Sequence, residues 1–220
     1  MGSVWIYERL IRLLALLPAL TLHEFAHAYC AHRCGDPTPA AHGRVTLNPL
    51  AHLDPMGTLM ILFSFVGWAK PVPINPANFR HPSRDTILTS AVGPLSNLAQ
   101  GAVWCMAIRM LLALRIYNEF VIGILAMMVL INFCLCIFNL LPLGPLDGHH
   151  ILEYKLPYRM ASKYRAWNRQ YGFVALFAIF FVSHVLKVPI LQYVILLPSW
   201  LLGSLLAGRD IYDLIHLLYL

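Results

Sequence analysis

Charge is scarce in this sequence: 12% of its 220 residues are Asp, Glu, Lys or Arg, against roughly 25% in ordinary soluble domains. With 59% hydrophobic residues, that leaves too little polar surface to coat a water-facing globule. The mean hydropathy of +0.66 makes a bilayer the natural solvent for much of the chain. A paired cysteine framework is missing too. The five cysteines, Cys30, Cys34, Cys105, Cys134 and Cys136, are odd in number and lie in or beside apolar stretches, which argues against a disulfide scaffold. No fixed-period repeat, low-complexity tract or separable second domain is visible, and no small-residue cleavage site follows the first apolar run. The first segment is therefore expected to be retained. The excess of 16 Lys and Arg over 10 Asp and Glu is scattered between apolar runs, so it reads as loop charge that sets topology and not as a nucleic-acid face.

What is present is a series of apolar runs. The first, residues 4–30, has Glu8, Arg9 and Arg12 near its start and meets His23, Glu24 and His27 near its end. Ionisable groups at membrane depth are expensive, which makes that cluster a candidate functional site. Residues 31–85 are rich in Pro and Gly. Within them, 58–66 is too short to span as a helix and carries enough Phe, Ile, Leu and Val to suggest a membrane-associated β-hairpin or re-entrant element. Spans are expected at 86–114 and 120–141, then a basic loop at 153–170, two further apolar runs at 171–186 and 188–207, and an interfacial tail at 209–220. This describes an all-α polytopic membrane protein, with residues 1–150 as core and 151–220 as loop, two helices and tail of the same membrane domain. The basic stretches 31–85 and 142–170 share one side if this topology holds, and positive-inside reasoning makes that side cytoplasmic.

The strongest motif is His23-Glu24-Phe25-Ala26-His27. Four-residue spacing places both imidazoles on one helix face, where they can hold one zinc ion, with Glu24 close enough to act as a base. The plainer alternative is a pair of hydrogen-bonded core histidines. Catalytic zinc normally has three protein ligands, so a third must come from elsewhere, and Asp147, before Gly148 in a Pro- and Gly-broken segment, fits. His149 or His150 is a rival ligand, and Cys30, His32 and Cys34 a remote second site. His42, His52 and His81 are expected to be exposed or hydrogen-bonded. Asn97 and Asn132 are expected to bridge helices as readily as to serve catalysis.

An HExxH in the first span, followed by Asn139, Pro142 and Leu146-Asp147-Gly148 in an NxxPxxxLDG pattern near the end of a later one, resembles the site-2 protease family of intramembrane zinc metalloproteases, peptidase family M50. Residues 43–57, 67–75 and Ala91-Val-Gly-Pro-Leu-Ser-Asn97 resemble its compact bacterial members, which lack PDZ or CBS domains. The resemblance covers residues 20–150. It implies a three-helix catalytic core, one Zn2+ per chain held by His23, His27 and Asp147, Glu24 as general base, and Asn139 facing the substrate or the oxyanion. The implied activity is hydrolysis of peptide bonds in or near transmembrane segments, with single-span membrane proteins as partners and no nucleic acid. A strand edge within 45–72 is the expected means of holding an extended substrate. The rival from another class is a membrane metal carrier or sensor, which needs the ligands but not the base.

Overall fold

In the computed structural model, which describes residues 2–63 and 67–208, the chain is helical throughout its regular parts. Helix α1 (Gly2–Arg33), α4 (Pro82–Ala113) and α5 (Glu119–Asn139) are long. Between the first two lie short α2 (Thr38–Ala41) and α3 (Pro55–Phe63); α6 (Asp147–Lys155), α7 (Tyr158–Val185) and α8 (Leu197–Ala207) follow α5. Among the described residues, three helices are long and apolar enough to cross a membrane: Ile11–Arg33, Pro82–Ala113 and Phe120–Asn139.

Local chemistry explains the boundaries. Pro82 opens α4 at a position whose N–H has no helical partner in any case, and the Asp85 carboxylate reaches back to accept from the His81 N–H (2.9 Å). Asn118 caps α5 by accepting from the Val121 N–H at 3.1 Å. The central member is α4, which packs on α1, α5, α6 and α8. Its C-terminal half contributes Cys105 and Ile108 to an apolar cluster with Ile122, Ala126, Val129 and Phe133 of α5 and Ala207 of α8. Gly101 lies flat against the Phe133 ring, where a Cβ would collide.

Two expectations require correction. The β-hairpin within 58–66 is absent: residues 55–63 form α3, residues 64–66 lie outside the described part, and no strand occurs among the described residues. The misleading signal was the Ile and Phe content. The overriding one was Asp54-Pro55: Asp54 accepts from the Gly57 N–H at 2.8 Å, and Pro55 occupies the first helical position ahead of helix-favouring Met and Leu. Among the described residues of 45–72, an isolated antiparallel bridge, Leu53 to Ala69, is what remains of the expected strand pairing. The buried Arg44 holds this connection by donating to the Lys70 carbonyl. The second correction concerns the basic stretch 153–170, which is not a loop: α6 runs to Lys155 and α7 begins at Tyr158. The expected interfacial tail, 209–220, lies outside the described residues.

Candidate metal centre

His23 and His27 sit one turn apart on α1 and are both buried. What fixes each ring is the group that accepts from Nδ1. For His27 it is the Thr89 main-chain carbonyl at 2.7 Å; for His23 it is the Asn97 Oδ1 at 2.6 Å. A backbone carbonyl only accepts, so His27 carries a proton on Nδ1 and turns Nε2 toward the site. The same follows for His23 through a chain of amides. Asn132 donates to the Met128 carbonyl (2.8 Å), so its oxygen accepts from the Asn97 Nδ2 (3.0 Å), which also donates to the Ala19 carbonyl (3.1 Å). The Asn97 oxygen is thereby turned toward His23. Asn97 and Asn132 do bridge helices, and in doing so they set a tautomer.

The fourth segment arrives from across the bundle. After α5 the chain turns through residues 140–146, and α7 pins this turn: Asn168 Oδ1 accepts from the Gly144 N–H (2.8 Å) and the Tyr164 hydroxyl donates to the Pro142 carbonyl (2.8 Å). Gly148 then passes so close to the Leu140 and Leu141 carbonyls that no side chain fits. Asp147, first residue of α6, presents Oδ2 3.3 Å from the Nε2 of His23 and 3.3 Å from that of His27; the two Nε2 atoms are 3.0 Å apart.

With Nδ1 of each imidazole donating away from the site, both Nε2 atoms and Asp147 Oδ2 converge on one point. The buried Asp147 Oδ2 has no hydrogen-bond donor. Two ring nitrogens and a carboxylate oxygen this close need a positive charge among them, supplied by a shared proton or by a metal ion. Zinc bonds of about 2.0–2.2 Å in tetrahedral geometry separate ligand atoms by roughly 3.3 Å, close to the spacing observed here. The donor set therefore fits zinc, with room for exchangeable positions. Gly93 on α4 makes the approach possible, since a Cβ there would collide with His27 Nε2 and with the His23 ring. The neighbouring Pro94 lacks the N–H of an unbroken helix at the same level.

His23, His27 and Asp147 line a cavity of about 420 Å³ together with Glu24, Asn139 and His150. Pro71, Val72 and Ile74, from the connection after α3, line it too, so the segment read as a strand edge lies beside the site as an irregular wall. Asn139 directs its amide nitrogen at the Leu135 carbonyl (3.0 Å), which leaves one amide hydrogen and the carboxamide oxygen for other partners. His150 reaches this cavity, whereas His149 turns its Nδ1 to the Leu146 carbonyl (2.6 Å). Among the described residues no three-ligand group forms at Cys30, His32 and Cys34; Cys30 instead accepts from the Thr89 hydroxyl at 3.6 Å. His42 is exposed, and His52 is buried with its Nε2 2.8 Å from the Thr46 carbonyl. Sequence reasoning missed Thr89, because its carbonyl acts rather than its side chain, and the α7 anchors Tyr164 and Asn168.

These features define a helical protein with a metal-competent polar centre enclosed among helices, three of them apolar enough to cross a membrane. The model of Peptidase family M50 matches residues 106–182. The chain is 37% identical over 202 residues, 90% of its own length and 86% of the relative's, to the Bacillus subtilis (strain 168) protein named "Putative zinc metalloprotease YwhC". It is also similar to the proteins named "Putative zinc metalloprotease Rip2" of Mycobacterium tuberculosis H37Rv, at 34% over 142 residues covering 62% of this chain and 54% of the relative, and of Mycolicibacterium smegmatis, at 30% over 165 residues covering 72% and 61%. No solved structure matches the chain. This chain belongs to Peptidase family M50.

Proposed function

We propose that this protein hydrolyses peptide bonds in or beside transmembrane segments of other membrane proteins, single-span proteins being the natural substrates. That it is a zinc metalloprotease follows from its family and from the names its relatives bear. The intramembrane setting of the substrate is our own reading. It rests on one observation: two imidazole nitrogens, an aspartate oxygen and a glutamate share a cavity at the end of helices apolar enough to cross a bilayer. His27 stands six residues before the end of α1, about 9 Å along the axis, so a scissile bond brought to it lies just inside the apolar layer.

In this reading His23, His27 and Asp147 hold the ion, and zinc, when bound, supplies the Lewis acidity that acidifies water and polarises a peptide carbonyl. Glu24 accepts the proton that water gives up as it attacks and returns a proton to the leaving amine. Asn97 and the Thr89 carbonyl keep both imidazoles in the tautomer that presents Nε2. The free amide hydrogen of Asn139 is available to the developing oxyanion or to substrate backbone. A carrier would need the ligands but has no use for Glu24.

The centre lies at the end of the bundle where α1 finishes, α4 begins and α5 gives way to α6. The basic stretches 31–85 and 142–170 belong to that end, which supports a cytoplasmic-side site in a multi-pass protein of the cell membrane. Helices α7 and α8 are taken as further membrane-embedded elements. The test is reconstitution of the zinc-loaded protein in bilayers with single-span candidate substrates, comparing native chain, Glu24→Gln and chelator-treated samples. A new fragment from the native chain alone is expected; a fragment of equal yield from Glu24→Gln would overturn the assignment.

A further inference from the structure

A second group of metal-ligating side chains stands outside the centre described above. His149, His150 and Glu153 lie on two turns of α6, and one ligand atom from each lies within 4.8 Å of the other two. The spacing is that of a helix-borne site: His149 and Glu153 are separated by four residues and His150 and Glu153 by three. The two imidazoles face each other with centroids 3.7 Å apart.

The supporting contacts are those a metal site requires. The His149 Nδ1 lies 2.6 Å from the Leu146 carbonyl, which can only accept. His149 therefore donates from Nδ1 and carries its lone pair on Nε2, the arrangement that orients metal-bound imidazoles generally. Glu153 is buried at 8% exposure, yet its partner is a single Arg165 Nε on Oε1 at 2.7 Å, from a side chain 62% exposed. Arg165 thus braces the carboxylate while Oε2 stays available, and solvent screens its charge. His150 is exposed, which gives an ion a way in from water. Two imidazoles and one carboxylate, with positions left for water, form a donor set for Zn2+, Co2+ or Ni2+ in preference to Mg2+ or Ca2+.

We infer that α6 carries a second, separate site for a first-row transition-metal ion, ligated by His149, His150 and Glu153. Because His150 also lines the catalytic cavity, an ion held there stands at the rim of that cavity. This assignment does not depend on the proteolytic reading, and its test uses stoichiometry.

The zinc-loaded protein in detergent is equilibrated with excess Zn2+ and then analysed for bound metal per chain, beside His149→Ala, Glu153→Gln and His27→Ala. Two ions are expected for the native chain and one for each variant. Co2+ provides a second readout, since the site's visible absorption bands should disappear in His149→Ala and persist in His27→Ala. One ion in the native chain, or two retained in both His149→Ala and Glu153→Gln, would overturn the inference. Should His149→Ala fail to fold, Glu153→Gln and the Co2+ bands of the native chain still decide. Two ions retained in His27→Ala would count against the catalytic ligand set while leaving the α6 site standing.

Discussion

The two halves of α4 face the same bundle with opposite chemistry. The N-terminal half buries Asp85, Thr86, Thr89, Ser90, Gly93, Pro94 and Asn97; past Gln100, the one polar side chain it buries, the C-terminal half buries Gly101, Cys105 and Ile108 against Phe133 and Ile122. In the apolar half, packing needs shape and little else. In the polar half each buried group needs a partner, and the partners found there orient others: Asn132 turns Asn97, which turns His23. A buried, misplaced polar group finds no water to bond to, so this half is specified by direction as well as volume.

That contrast can be broken or sharpened by substitution. The largest effect is expected from Glu24→Gln, which removes the base and should lower cleavage by about 10²–10⁴-fold while bound zinc, measured by metal analysis, stays at the native level. Gly93→Ala comes next. Its Cβ collides with His27 Nε2, so zinc content and cleavage should both be lost although the protein still assembles in the membrane. Equal zinc in this variant and the native chain would show that the polar half yields as readily as a loose apolar one. In Asn97→Leu the His23 acceptor is gone, and zinc affinity, titrated against a competing chelator, should fall by about 10–100-fold. Phe133→Ala belongs to the other half: a loss of about 3–5 kcal/mol in unfolding stability, with zinc affinity unchanged, is the expected outcome.

The smallest effect concerns Asp36, just beyond α1. Burial would raise its carboxyl, but hydrogen bonds from the Asn78 amide (2.8 Å), the Thr38 hydroxyl (2.6 Å) and the Asn75 and Thr38 N–H groups (2.7 and 3.1 Å) hold it below its usual value of 3.8. A carboxyl depressed in the folded state stabilises at neutral pH and loses that contribution as pH falls below about 4. Protease nicking of the 34–81 connection should therefore rise on acidification in the native chain and already be high in Asp36→Asn at neutral pH.

Much of this was legible in residue order. Apolar runs located the three long helices, and the HExxH spacing put His23 and His27 on one face. Asp147 stood out as a carboxylate in a broken apolar segment. Signals of comparable strength were misread where two principles competed. In 55–63 the Asp54-Pro55 start outweighed β-branched and aromatic content, and in 158–170 high charge concealed the first turns of α7. Thr89 could not have been found at all, since its contribution is a main-chain oxygen.

Residue order by itself determined which groups cannot face lipid, how far apart they lie along a helix, and the family to which the chain belongs, because hydropathy, helical period and motif spacing are properties of adjacent residues. Only the tertiary structure decided that Asp147 comes within 3.3 Å of both imidazoles, which nitrogen of each ring faces the site, and that Gly93 must be a glycine. Those facts depend on distances between segments more than a hundred residues apart or on different helices, and such distances are set when α1, α4, α5 and α6 pack together.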